Sequence, residues 1–101
     1  MIEIYVREFL EITKHLSRDK GKKKGDFLLV EKDLVAELLN RNLYQTADAK
    51  LRYWRMLGWT DTDQNRVTRR AHDENGKPIL VIKINLKIYQ TLIKIEEEGS
   101  L

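Results

Sequence analysis

Apolar residues recur three or four positions apart in the first part of the chain and predict an amphipathic helix over residues 2–17. The residues with this spacing are Ile2, Tyr5, Phe9, Ile12 and Leu16, with charged residues between them. Two heptads are too few to indicate a coiled coil. The pattern therefore favours a helix that packs on the core of its own domain.

The periodicity stops at residues 17–26, where two glycines and a lysine cluster predict a loop. This loop is either a basic arm that contacts phosphate or a solvated linker. The apolar segment 27–30 that follows is too short for its periodicity to decide between a strand and the lead-in to the next helix.

A second and a third helix are predicted over residues 31–40 and 46–57. Leu34, Val35, Leu38 and Leu39 form one face of the second helix. Thr46 is a suitable N-cap for the third helix, and Gly58 a suitable C-terminal stop. About four residues connect the two helices, so they must cross steeply to share one core, as in a helix-turn-helix.

A β-hairpin is predicted after the third helix, because Asn75-Gly76 separates two β-like segments, 66–72 and 79–84. A two-residue loop would place Arg70 opposite Val81 and would put Arg69 on the apolar face. That arrangement requires a hairpin that projects beyond the core, or a longer loop with a shifted register.

Asn85 is a suitable N-cap for a last helix over residues 86–98. The apolar face of this helix is broad for so small a chain, and it is expected to pack on the first helix. The surplus apolar surface is compatible with a homodimer formed through the two terminal helices.

Composition narrows the functional classes. The 101 residues are enough for one domain, and the predicted elements give an α+β class that is mostly helical. The net charge is +3, and residues 46–94 hold ten basic but only five acidic residues. This distribution favours an anionic partner such as nucleic acid, although a solvated surface is the alternative.

The sequence predicts a cytoplasmic protein without a membrane partner, because no apolar run approaches the roughly 20 residues of a membrane helix and no signal-peptide pattern is present. Absence of cysteine excludes disulfides and thiolate metal sites. The two histidines, His15 and His72, lie far apart and have no neighbour at ligand spacing. We expect neither a metal, nor a cofactor, nor an enzyme activity.

The order of helix, short apolar segment, helix, tight turn, helix and hairpin resembles the winged helix-turn-helix superfamily of DNA-binding domains. Residues 34–39 correspond to its supporting helix, residues 46–57 to its recognition helix and residues 66–84 to its wing. The sequence Leu57-Gly58-Trp59-Thr60-Asp61 is similar to the exit from the recognition helix in bacterial regulators. The resemblance covers about residues 27–84, with flanking helices at about 2–17 and 86–98, in one domain of 1–101.

The resemblance implies that the third helix enters the major groove of double-stranded DNA and that the wing meets phosphate or the minor groove. By position, the side chains that would approach bases are Gln45, Thr46, Ala49, Arg52 and Tyr53. Those that would meet the DNA backbone are Lys50, Arg55, Arg69, Arg70 and Lys77. The expected function is that of a small transcriptional regulator, or of an accessory factor of a mobile element or phage.

RNA binding is one alternative, suggested by the lysine-rich loop and Tyr53. The main alternative is a winged-helix module that binds another protein in a replication, conjugation or transcription assembly. Acidic residues favour it, because Asp48 begins the third helix and Asp73-Glu74 lies near the wing tip, where DNA phosphates would pass. Without its neighbours in the chain, the third helix favours an ordinary solvent-exposed face on a core helix over a base-reading surface.

Overall fold

The computed structural model describes residues 2–61 and 68–99, with the side chain of Arg69 left out. This part of the chain forms a small α+β fold of four helices and a four-stranded antiparallel sheet with the strand order β1-β2-β4-β3. In chain order the elements are α1 (Ile2–Asp19), β1 (Lys22–Lys24), β2 (Phe27–Glu31), α2 (Lys32–Leu39), α3 (Ala47–Met56), β3 (Arg69–His72), β4 (Pro78–Asn85) and α4 (Leu86–Glu97).

The four predicted helices are confirmed, with ends that differ by one or two residues from the predicted ones. Helix α1 buries Phe9 and Leu16 completely, as its three-four spacing requires. One hydrophobic cluster joins α1 to α2, α3, α4 and one face of the sheet. Among the helices in residues 2–61 and 68–99, none is long and apolar enough to cross a bilayer.

The lysine-rich segment is part of the sheet rather than a plain loop. Strand β1 pairs antiparallel with β2 from Lys22 opposite Leu29 to Lys24 opposite Phe27. The turn between them is Gly25-Asp26, in which Gly25 has the left-handed φ of 60° that glycine adopts readily. The loop expectation for residues 17–26 is therefore wrong at residues 17–19, which belong to α1, and at residues 22–24. The open choice at residues 27–30 is settled as a strand.

Local sequence fixes both ends of α3. The Thr46 hydroxyl oxygen accepts a hydrogen bond from the Ala49 backbone N at 3.1 Å, as an N-cap does. Gly58 has a φ of 78°, and the Trp59 N–H donates back to the Trp54 carbonyl at 2.9 Å. This is a Schellman ending, and it turns the Trp59 side chain into the core.

The predicted hairpin is present, but its register differs by one residue from the two-residue-loop prediction. Arg70 lies opposite Leu80, because the loop consists of five residues, 73–77. The Gly76 N–H donates to the Asp73 carbonyl, and Gly76 follows that turn with a φ of 79°. Asn75-Gly76 thus supplies the end of a longer turn instead of a two-residue loop.

The shift exchanges the faces of two arginine positions. Position 69 lies opposite Val81 and thus leaves the apolar face on which the two-residue loop had placed it. Of the predicted first strand, residues 66–67 lie outside the described residues. On the central strands, Leu28, Val30, Ile82 and Ile84 face the helices and are buried, whereas alternate residues form the outer face of the sheet.

Candidate nucleic-acid interface

The exposed surface of α3 is a narrow stripe that runs the length of the helix. We define the α3 stripe as Gln45, Asp48, Arg52 and Met56, which are three or four residues apart and all exposed. Leu51 and Trp54 lie on the opposite side and are buried. The stripe therefore combines an amide, a guanidinium, a carboxylate and a thioether on one accessible surface.

Lys50 is not part of this surface, which corrects its predicted role as a phosphate contact. Its side chain is 0% exposed, and its ammonium forms an ion pair with Glu8 of α1 at 3.0 Å. The ammonium also donates to the backbone carbonyls of Leu39 at 2.7 Å and Asn42 at 2.6 Å. All three ammonium protons have acceptors inside the protein, so Lys50 is inaccessible to DNA in this structure.

Glu8 is the centre of a polar cluster that joins three parts of the fold. Its carboxylate, only 4% exposed, also accepts hydrogen bonds from the Tyr44 hydroxyl at 2.5 Å and from the Asn42 side-chain amide at 3.0 Å. The Lys50 ammonium lies 4.1 Å from the Tyr44 ring centroid. Because the cluster connects α1, the α2–α3 turn and α3, it determines how α3 presents its stripe.

The polar cluster predicts a loss of stability in alkali. Burial and the hydrogen bond to Glu8 raise the pKa of the Tyr44 phenol above its ordinary value of 10.0. As the pH rises past this ordinary value, the unfolded chain releases the Tyr44 proton while the folded protein retains it. The free energy of unfolding should therefore fall. Denaturant unfolding at pH 9 and pH 11 should show a smaller decrease for Tyr44→Phe than for the unsubstituted protein, and equal decreases would contradict the assignment.

Several predicted base contacts already have partners inside the fold. The Tyr53 ring is half-buried and lies 4.2 Å from the Tyr5 ring, centroid to centroid. The Gln45 amide oxygen accepts from the Thr46 backbone N at 3.0 Å, while the Thr46 hydroxyl oxygen caps α3. Ala49 is half-buried. Of the three predicted cations on α3, Arg52 is exposed, Arg55 is half-buried and Lys50 is buried.

The hairpin presents cations and one structural carboxylate. Arg70 and Lys77 are exposed, and position 69 belongs to β3. The Asp73 carboxylate accepts hydrogen bonds from the backbone N–H groups of Asn75 and Lys77, both at 2.9 Å. Asp73 therefore organises the turn, as aspartate commonly does, while Glu74 is exposed beside it.

Two features that the sequence reasoning missed are the Glu8 cluster and the outer face of the sheet. The outer face of the sheet had a local signal, because Gly25-Asp26 is a dipeptide typical of the two-residue hairpin loop that joins β1 to β2. The first had none, since Glu8 and Lys50 are 42 residues apart. Within the residues that the structure describes, no group of three or more potential ligands is placed to hold a metal ion.

Comparison with known proteins does not place the chain in a family. No protein-family model matches its sequence, and no curated protein is significantly similar to it.

Proposed function

We propose that this protein binds double-stranded DNA as a winged helix-turn-helix protein, with α3 as the recognition helix and the β3–β4 hairpin as the wing. The observation that carries the proposal is the exposed α3 stripe, which follows a seven-residue α2–α3 connection (residues 40–46) and precedes a hairpin with exposed cations. An α-helix fits the major groove, and a hairpin beside it can meet the flanking backbone.

The α3 stripe has groups suited to reading bases. Arg52 is exposed near the middle of the stripe, and a guanidinium can donate two hydrogen bonds to guanine. Gln45 is exposed just before the helix, where its amide can pair with adenine. The Glu8–Lys50 ion pair holds α3 against α1, so the helix that carries these side chains is fixed in position.

The hairpin supports the proposal through Arg70 and Lys77, which are exposed and can contact phosphate. The Asp73 carboxylate repels DNA phosphates less than its charge alone suggests, because it already accepts two backbone hydrogen bonds. A small transcriptional regulator, or an accessory factor of a mobile element or phage, is the kind of protein that uses such a surface. Asp48 is then expected to restrict how the start of α3 approaches the duplex.

Substitution of the two arginines should separate base reading from backbone contact. Arg52→Ala should reduce discrimination among duplexes by about 1–3 kcal/mol at one base-pair position, because it removes a base-edge contact. Arg70→Ala should weaken all duplexes alike and reduce the slope of log affinity against log salt by about 0.9. Selection from a randomised duplex pool, followed by salt titrations of the selected sequences, measures both effects.

Arg7→Ala is the matched control for this experiment, because Arg7 is an exposed arginine on α1, outside α3 and the hairpin. Its affinity and salt slope should be those of the unsubstituted protein. Absence of duplex binding at low salt would refute the proposed function. Equal losses in all three variants would show that only net charge matters.

A protein-binding function is the second candidate, and two exposed apolar side chains favour it. Leu43 is 88% exposed just before α3, and Met56 is 73% exposed at its end. A protein partner that covers α3 would bury both of these apolar groups. A stable protein partner that survives nuclease treatment and is lost in Leu43→Ser/Met56→Ser would favour this function over DNA binding.

A further inference from the structure

The outer face of the sheet, turned away from the helices, carries a groove of about 760 Å³. We define the outer sheet groove by Lys22, Lys24, Phe27, Leu29, Val81 and Lys83, which lie among its lining residues on β1, β2 and β4. The groove uses neither α3 nor the tip of the β3–β4 hairpin. It therefore differs from the surface proposed to bind duplex DNA, although Arg70 lies beside both.

The floor of the groove is apolar. Val81 is 4% exposed but does not belong to the main core cluster, because it points to the outer face of β4. Phe27 and Leu29 on the neighbouring strand β2 are half-buried and so remain partly accessible. The two central strands thus offer a ring and aliphatic groups to a ligand.

The β1 rim of the groove is basic, because Lys22 and Lys24 are exposed on this edge strand. Strand β3 forms the opposite rim, where the pairing of Arg70 with Leu80 and of His72 with Pro78 places both residues on the helix side of the sheet. With strands about 4.8 Å apart, the two rims are about 14 Å apart across the four strands. No carboxylate is among the described residues that line the groove, although Glu31 lies opposite Val81 on the same face and Asp61 pairs with Lys83.

Lys83 connects the basic and the apolar parts. Its ammonium lies 4.2 Å from the Phe27 ring centroid and 3.2 Å from a carboxylate oxygen of Asp61. The Asp61 side chain is 45% exposed, so this ion pair is accessible to water and weak. A ligand phosphate must compete with the Asp61 carboxylate for the Lys83 ammonium, because the Asp61 N–H also donates to the Lys83 carbonyl at 2.9 Å and keeps Asp61 beside it.

We propose that the outer sheet groove binds single-stranded nucleic acid. Proteins that bind single strands combine a positively charged groove, which follows the phosphates, with aromatic and apolar side chains that contact the bases. Here the lysines of β1 and Lys83 contact phosphates, and Phe27 with Leu29 contacts bases. A single strand fits better than a duplex, because only unpaired bases can reach the floor of the groove.

An acidic peptide is the main competing ligand, and the edge of the sheet disfavours it. A peptide that extends a sheet gains its affinity from backbone hydrogen bonds along an exposed edge strand. Strand β1 has only three residues, all of them lysines. Short, lysine-rich edges resist strand addition. At the β1 edge, the groove is therefore better suited to a ligand held by its phosphates and bases than to one held by its backbone amides. The other edge strand, β3, has four residues and no run of lysines.

The test measures the affinity for labelled 12-nucleotide oligothymidylate and oligouridylate at low salt by fluorescence anisotropy. Lys22→Gln/Lys24→Gln should lower affinity and reduce the salt slope by about 1.4, because each phosphate contact on a single strand contributes about 0.7. Phe27→Leu should weaken binding about fivefold or more without changing the slope, since it removes base stacking and retains an apolar side chain. The DNA and RNA arms show which sugar the groove prefers.

Lys14→Gln/Lys94→Gln is the matched control, with the same change in charge on exposed positions of α1 and α4. It should bind single strands like the unsubstituted protein. Four results would each overturn the proposal. They are equal weakening by this control, no effect of the groove variants, no binding of single strands at all, and displacement of the oligonucleotide by polyglutamate of equal charge. Arg52→Ala should leave single-strand affinity unchanged, so failure of duplex binding and failure of this site are distinguishable.

Discussion

Replacing Lys50 by methionine should destabilise the protein by about 3–5 kcal/mol, because it leaves the buried Glu8 carboxylate without its cation. The substitution also removes the donor to the carbonyls of Leu39 and Asn42. Denaturant unfolding at neutral pH, with equal slopes for variant and unsubstituted protein, measures the loss. So large a loss is a substantial part of the 5–15 kcal/mol typical of native proteins.

Arg52→Met is the control for this prediction, since Arg52 is exposed on the same helix and its replacement should change stability by no more than about 0.5 kcal/mol. The double variant Lys50→Met/Glu8→Leu should lose less than the sum of the two single variants, because no uncompensated charge remains. Simple additivity would show that the two groups do not interact. A loss below about 1 kcal/mol for Lys50→Met would contradict the buried ion pair.

Replacing Trp54 by alanine should cost about 3–5 kcal/mol, because its side chain is completely buried at the centre of the core. The indole stands nearly perpendicular to the Phe9 ring, with ring centroids 5.0 Å apart, so the substitution also removes an edge-to-face contact between α3 and α1. Thermal and denaturant unfolding should both show the loss.

Met56→Ala provides the comparison, since Met56 is two residues away on the same helix but 73% exposed. Its effect on the free energy of unfolding should stay within about 0.5 kcal/mol. Comparable effects of the two substitutions would mean that α3 does not bury the side predicted by its periodicity.

The helices were predictable because their signals are local. Periodic apolar positions set the buried side of α1, while Thr46 and Asn85 begin helices through hydrogen bonds to backbone groups two or three residues away. Gly58 ends α3 by the same kind of short-range geometry. Such features depend on a few neighbouring residues, so the sequence contains nearly all the information needed.

The hairpin was predictable in existence but not in register. Asn75-Gly76 is compatible with a two-residue loop and with the longer turn that Asp73 closes through its side chain. The two choices differ by one residue in pairing and therefore place Arg70 on opposite faces of the sheet. The longer turn places position 69 opposite Val81. This register depends on the pairing in the assembled sheet, which the turn sequence alone does not specify.

The candidate interface was predictable in part. The incorrect prediction for Lys50 has one physical cause. Helical periodicity identified Arg52 as an outward side chain of α3, and the structure shows it exposed. Periodicity placed Lys50 at the boundary between the two sides of the helix, where a long side chain can turn either way. Burial of its ammonium was decided by Glu8, which comes from α1 and supplies the opposite charge.

The sequence by itself determined the helices, their caps, the presence of a hairpin and the excess of basic over acidic residues in the second half of the chain, because each depends on neighbours along the chain. Only the tertiary structure decided which of the cations are accessible. Lys50 is buried in an ion pair, while Lys22 and Lys24 line a groove on the outer face of the sheet. Accessibility depends on residues distant in sequence, whose packing no local pattern specifies.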